Sequence, residues 1–123
     1  MSNLDTIQER SLIGIIGDED SVTGFLLAGI GHIDNEQKKN FLVVGTETET
    51  SVIETFFEEL TDLRTDIGII LINQHIADRI RPKIEAYSQV LPSLLEIPSK
   101  DHPYDLEKDF ILKKVRRLMS DET

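Results

Sequence analysis

The chain has 123 residues, 39% of them hydrophobic, enough for one domain with a sizeable core and an appendage but too few for two ordinary domains. No stretch reaches the ~20 apolar residues of a membrane helix, and the opening MSNLDTIQER lacks the basic and apolar regions of a signal peptide, so a soluble, cytosolic protein with no direct membrane insertion is expected. The absence of cysteine excludes disulfides and thiolate metal sites, and 13 basic against 23 acidic residues, a net charge of −10, oppose binding to nucleic acid.

Residues 1–10 are expected to be a flexible tail before an α/β domain over 11–97. Leu12 to Ile16 (LIGII) is short, β-branched and continuous, the pattern of a strand buried on both faces of a parallel sheet. Ser21 to Ile30 follows with Val22, Phe25, Leu26 and Ile30 at helical spacing, Asp20 or Ser21 as N-cap, and Gly29 and Gly31 as stop signals. Phe41 to Val44 (FLVV) reads as a second strand. Thr50 to Thr61 reads as a helix whose apolar face is Val52, Ile53, Phe56, Phe57 and Leu60.

Ile67 to Ile72 (IGIILI) is a third buried strand, and Gln74 to Ser88 a third helix through Ile76, Ala77, Ile80, Ile84 and Tyr87. Pro82 lies inside it, so a kink or break is expected near residue 81, a kink being the simpler outcome. Leu94 to Ile97 (LLEI) is the fourth strand, and Glu96 within it suggests a sheet edge. Alternating strands and helices predict a small four-stranded parallel sheet flanked by helices, flavodoxin- or receiver-like, with strand order 2-1-3-4. No internal repeat interrupts it.

Pro98 to Asp105 (PSKDHPYD) has two prolines and mostly polar residues, and reads as a linker. Helix returns over residues 106–119, with Asp105, Glu107 and Asp109 near its N-terminus and cations towards its C-terminus, as the macrodipole favours; 120–123 is a flexible end. Residues 1–99 carry 7 basic and 17 acidic side chains, whereas 100–123 carry 6 of each. Lys113, Lys114, Arg116 and Arg117 therefore form a basic segment on an acidic domain, which suggests a part that faces a partner.

At 100° per residue, Ile111, Leu112, Val115, Leu118 and Met119 share one helix face, while Leu106 and Phe110 point roughly the other way. A helix of this length is marginal alone. The pattern fits two outcomes equally: docking on the chain's own sheet, or packing against the helices of a partner.

The C-terminal edge of the sheet is where open α/β folds bind ligands. The loop from Gly17 to Gly24 (GDEDSVTG) has three consecutive acids and no cation, so it is neither a phosphate cradle nor a dinucleotide fingerprint. Asp18, Glu19 and Asp20 would suit Mg²⁺ in a receiver-like signalling or adaptor domain. However, the third strand ends on Asn73, which cannot accept a phosphoryl group as a carboxylate does, and no fifth strand with a lysine follows. Helix capping and solvated charge is the simpler reading of the three acids. His32, His75 and His102 stand in separate segments without paired ligands, and no serine lies in a nucleophile elbow. No catalytic residue, cofactor site or metal site is predicted.

Three strings, GDED with TGFLLAGIG (17–31), ILINQHIA (70–77) and LEIPSKDHPYD (95–105), resemble the F subunit of V-type (vacuolar) proton-pumping ATPases, and the resemblance runs from about residue 11 to about residue 119. It implies a non-catalytic rotor subunit in the central stalk of the soluble V1 sector, on the cytosolic face of endomembranes. Such a subunit binds the D subunit, the coiled-coil shaft, turns within the hexamer of A and B subunits that holds the catalytic nucleotides, and lies near the membrane-sector subunits at the stalk base. It helps couple ATP hydrolysis to rotation and proton transport. Carried onto this chain, the resemblance makes the last helix the shaft-binding element, with Leu106, Phe110, Ile111, Leu112, Val115 and Leu118 as apolar contacts and Lys113, Lys114, Arg116 and Arg117 as electrostatic partners.

Overall fold

The β-branched run expected as the first strand is fully extended as β1 (Leu12–Gly17), and its last four residues are buried. The structure, a computed structural model, describes residues 10–30, 39–103 and 105–121. Residues 1–9 of the expected N-terminal tail, Gly31, His32, Tyr104 and the last two residues of the chain lie outside the described residues.

Strands β2 (Phe41–Val43), β3 (Ile67–Asn73) and β4 (Ser93–Ile97) complete a parallel sheet of order β2-β1-β3-β4, as the sequence pattern predicts. Ile16 sits opposite Leu42 on one side and Ile72 on the other. Ile16, Ile70, Ile72 and Leu94 join Ile53, Phe57, Leu60, Ile76, Ile80 and Ile84 in one cluster, so the main core lies on one face of the sheet. Ile15, turned to the other face by the two-residue alternation of a strand, is equally buried, as the doubly covered reading of β1 requires.

The first helix, α1 (Glu19–Leu27), starts two residues earlier than expected. Its N-cap is Asp18, whose carboxylate accepts from the Ser21 N–H at 2.8 Å, not Asp20 or Ser21. Gly29 ends it at φ +85°, with Gly29 N–H donating to the Leu26 carbonyl and Ile30 N–H to the Phe25 carbonyl, the paired bonds of a Schellman stop.

The second helix, α2 (Thr50–Glu58), runs on into a wider turn over Glu59–Leu63 that closes when Arg64 N–H reaches back five residues to the Glu59 carbonyl. Ile53, Phe57 and Leu60 are buried, whereas Val52, part of the same apolar face in the sequence pattern, is 44% exposed at its margin. Arg64 turns inward and donates to the Lys39 carbonyl and to both oxygens of Asp66, locking the entry to β3.

The third helical region is broken, not kinked. It comprises α3 (Gln74–Ala77), a tight 3-10 turn over Asp78–Ile80, and α4 (Arg81–Glu85). Pro82 occupies the first turn of α4, where its missing N–H costs nothing, and the chain leaves helical dihedrals at Ile80 (φ −123°, ψ 30°) to allow it. Two helices are therefore the physical answer to a proline that a continuous helix would strain.

After β4 the chain crosses the sheet edge, makes a short turn over Leu106–Lys108 and enters α5 (Phe110–Asp121). The expected helix start at residue 106 is thus only that turn. Asp105 caps it through the Glu107 N–H, and α5 itself is capped by Asp109, which accepts from the N–H groups of Ile111 and Leu112. Among the described residues, no helix is long and apolar enough to cross a membrane.

Candidate functional site

Two places on this scaffold carry unpaired or unusual chemistry: the cleft at the C-terminal edge of the sheet and the outer face of α5. The cleft, about 640 Å³, is bordered by Asp18, Glu19 and Asp20 from the start of α1, His75 and Arg79 from the α3 region, and Lys100 and His102 from the segment after β4. Its polar groups are largely committed to holding the chain together. Asn73, fully buried, accepts from the Asp18 N–H at 2.7 Å and donates to Ser21 Oγ and to the Pro98 carbonyl. The side chain standing where a receiver keeps its phosphoacceptor thus ties α1, β3 and the end of β4 into one joint. Asp18 is spent as a cap, and Arg79 donates to the carbonyls of Gly45 and Thr48.

The next two residues continue the joint. Gln74 exchanges two 2.6 Å hydrogen bonds with the Asp105 backbone, its Nε2 donating to the carbonyl and its Oε1 accepting the N–H. His75 stacks on His102, ring centroids 3.9 Å apart and planes 12° from parallel. Burial and the neighbouring His102, with Arg79 adding to them, outweigh Asp18 and Asp78 and hold the His75 pKa below its ordinary 6.5. Two histidines that stand in separate segments of the sequence are therefore in contact, with Pro98 tethered to Asn73 and the Ser99–His102 bridge holding the second one. Among the described residues no set of three His, Cys, Asp or Glu side chains converges as a metal ion would need.

Glu96 in the sequence suggests a strand at the sheet edge, and β4 is that edge, but the carboxylate is not in solvent: its side chain is 1% exposed. Glu96 accepts from both terminal nitrogens of Arg81, at 2.8 and 3.0 Å, and from the Phe110 N–H at 2.7 Å. Arg81 also pairs with Asp78 at 2.5 Å. Burial alone would lower the Arg81 pKa, but the hydrogen bonds to Glu96 and Asp78 outweigh it and hold it above its ordinary value. A carboxylate set in the apolar string Leu94 to Ile97 is the sequence signal for this hub, since a buried acid must be paired.

The ten residues predicted to face a partner separate into two groups. Phe110, expected to point away from the anchors, packs on the main core, and Ile111 and Leu112 are half-buried beside β4. Farther along, Val115 and Leu118 border a groove with Tyr87, Val90 and Pro92 yet stay largely in solvent: Val115 is 43%, Leu118 59% and Met119 64% exposed. Lys113, Lys114, Arg116 and Arg117 are exposed, Lys114 lying 5.9 Å from the centre of the Phe110 ring and Arg116 3.2 Å from Glu107. Leu106 is 53% exposed on the preceding turn. Of the two docking outcomes allowed by the sequence, the first turn of the helix takes the one on the chain's own sheet, while the later turns keep large exposed apolar side chains beside a groove with Tyr87 and Val90.

The class is that of a small parallel α/β domain of order 2-1-3-4, its C-terminal sheet edge tied to Pro98 and Asp105 of its own downstream segment, followed by a basic amphipathic helix. Residues 13–115 match the family described as ATP synthase (F/14-kDa) subunit. The chain is 56% identical over 116 residues to the V-type proton ATPase F subunit of Neosartorya fischeri, covering 93% of this chain and 94% of that one. It is 50% identical to the Saccharomyces cerevisiae F subunit over 93% of this chain and 98% of that one, and 51% identical to the Homo sapiens F subunit over 90% and 92%. The chain belongs to the family of V-type proton ATPase F subunits.

Proposed function

We propose that this chain is a non-catalytic rotor subunit in the central stalk of the soluble V1 sector of a V-type proton-pumping ATPase, where α5 binds the D subunit that forms the coiled-coil shaft. It helps couple hydrolysis in the surrounding A/B hexamer to rotation and proton transport, with membrane-sector subunits near the stalk base, on the cytosolic face of endomembranes. Family membership supports the assembly. The observation that carries the finer reading is the later part of α5: Val115, Leu118 and Met119 remain 43–64% exposed as an apolar stripe beside four cations, although Val115 and Leu118 also border a groove with Tyr87, Val90 and Pro92. Such a stripe suits the groove of a long helical partner, and the cations suit acidic side chains at the rim, which steer and align more than they tighten. Catalysis belongs on this reading to other subunits, because Asn73, Asp18 and Arg79 in the sheet-edge cleft are committed to capping and tethering.

Leu112 is half-buried against the chain's own strand, so the informative substitutions are at the two exposed positions beyond it. Val115→Asp with Leu118→Asp should weaken binding to the shaft by at least about tenfold, as loss of central apolar anchors does, and leave the thermal midpoint of the isolated chain within a few degrees of the parent. Undiminished binding in calorimetry would remove α5 from the interface.

A further inference from the structure

The stacked imidazoles of His75 and His102 have no part in the function above, and their placement gives them one of their own. His75 is the second residue of α3, just beyond the end of β3. His102 closes the Ser99–His102 turn, which is tied internally by two backbone hydrogen bonds and by the 3.2 Å approach of Ser99 Oγ to His102 Nδ1. The rings lie face to face at 3.9 Å, and His75 Nδ1 is buried without a hydrogen-bond partner. A face-to-face pair this close tolerates two neutral rings, or one neutral and one charged, but two imidazolium ions repel. The buried Nδ1 adds to this, since a protonated ring needs a partner for each N–H and Nδ1 has none where it sits.

We propose that His75 and His102 form a pH-responsive clasp, closed when the rings are neutral and opened by their protonation, that controls how firmly the segment leading to α5 is held on the sheet.

The groups facing His75 from each packed element are Asp18 at the start of α1, Asp78 and Arg79 just after α3, and His102 from the turn, with Lys100 and Asp101 beside it. Asp18 Oδ2 lies 3.9 Å from His75 Nε2, too far to complete a hydrogen bond, so it compensates a charged ring only partly. The net of these surroundings is a His75 pKa below 6.5. A histidine whose pKa is lower in the closed state than in the open one binds its proton better when open. The clasp therefore contributes its full stability above pH 6.5 and loses it as pH falls through the pKa of the closed state. Gln74 and Glu96, which grip Asp105 and Phe110, do not depend on the stack, so acid should loosen the Ser99–His102 turn while Asp105, Phe110 and the sheet stay in place.

Hydrogen exchange of the full chain tests this, with intrinsic rates corrected for pH. Between about pH 7.5 and about pH 5.5, protection in a peptide covering the Ser99–His102 turn should fall roughly fivefold while protection in β3 holds. His102→Phe keeps a ring to stack on but takes away the second imidazole, and should cut that fall to less than about twofold. His102→Ala should show the low protection already at neutral pH. Three results would overturn the clasp: unchanged wild-type protection, an equal acid response in His102→Phe, or a parallel loss in β3. Full neutral-pH protection in His102→Ala would do the same, since the stack would then hold nothing.

Discussion

Replacing Glu96 by alanine should cost about 3 kcal/mol of folding stability, the usual penalty for stripping one partner from a buried ion pair. The side chain is 1% exposed and meets Arg81 and the Phe110 N–H together, so its loss leaves a largely buried guanidinium with Asp78 alone and the first N–H of α5 without an acceptor. Two further variants separate these contributions. Glu96→Gln keeps an acceptor for Phe110 and most of the packing, and should cost about half as much. Arg81→Met with Glu96→Leu removes both charges, and should be less damaging than Glu96→Ala alone, because the cost lies in the unpaired charge. Urea denaturation measures all three. Equal stability of Glu96→Ala and the parent would mean that the hub contributes nothing.

Asn73→Asp should be comparably severe at neutral pH, at about 3 kcal/mol, although it changes only an amide to a carboxylate. Asn73 has no exposed surface, and its amide nitrogen donates to the Pro98 carbonyl. An aspartate there would set a buried negative charge against that carbonyl, with the Asp18 cap close by. Burial raises the pKa of such a carboxyl in the folded protein above its unfolded value of about 3.9, so the native state holds the proton more tightly. Stability should then recover as pH falls through the raised pKa, the reverse of a salt-bridged acid. Denaturation at about pH 7 and about pH 5 should show the variant closing its gap to the parent. A gap that widens in acid would contradict the burial argument.

Both variants sit where local sequence is least informative. The sheet is readable because LIGII, FLVV and IGIILI are short continuous apolar runs, with LLEI as an edge string carrying one acid, all separated by helical periodicity, and that pattern has few solutions. The start of α1 is not, because Asp18, Glu19, Asp20 and Ser21 are all acceptable near a helix N-terminus by type or charge. What selects Asp18 is the side-chain oxygen of Asn73, 55 residues away, which takes its backbone N–H. Pro82 locates the break in the third helix but not its form, since the 3-10 turn before it depends on packing Ile80 and Ile84 into the core.

The same limit applies to the site. The amphipathic stripe of α5 is visible in the spacing of Ile111, Leu112, Val115 and Leu118, yet periodicity does not say where along a helix it leaves the sheet. Glu96 fixes the docked end by gripping Phe110, and Val115 and Leu118 then lie partly exposed along a groove beside Tyr87 and Val90. The grips of Gln74 on Asp105 and of His75 on His102 are likewise pairings across about 30 residues of sequence, which no local pattern reports.

The proposal that α5 binds the shaft is tested most directly by co-expressing the chain with the D subunit of a V-type ATPase, followed by size-exclusion chromatography and lysine cross-linking. Co-elution as one species, with cross-links to the shaft from Lys113 and Lys114, is the expected result. Separate elution, or a complex whose cross-links come only from sheet-side lysines such as Lys39 and Lys83, would contradict it.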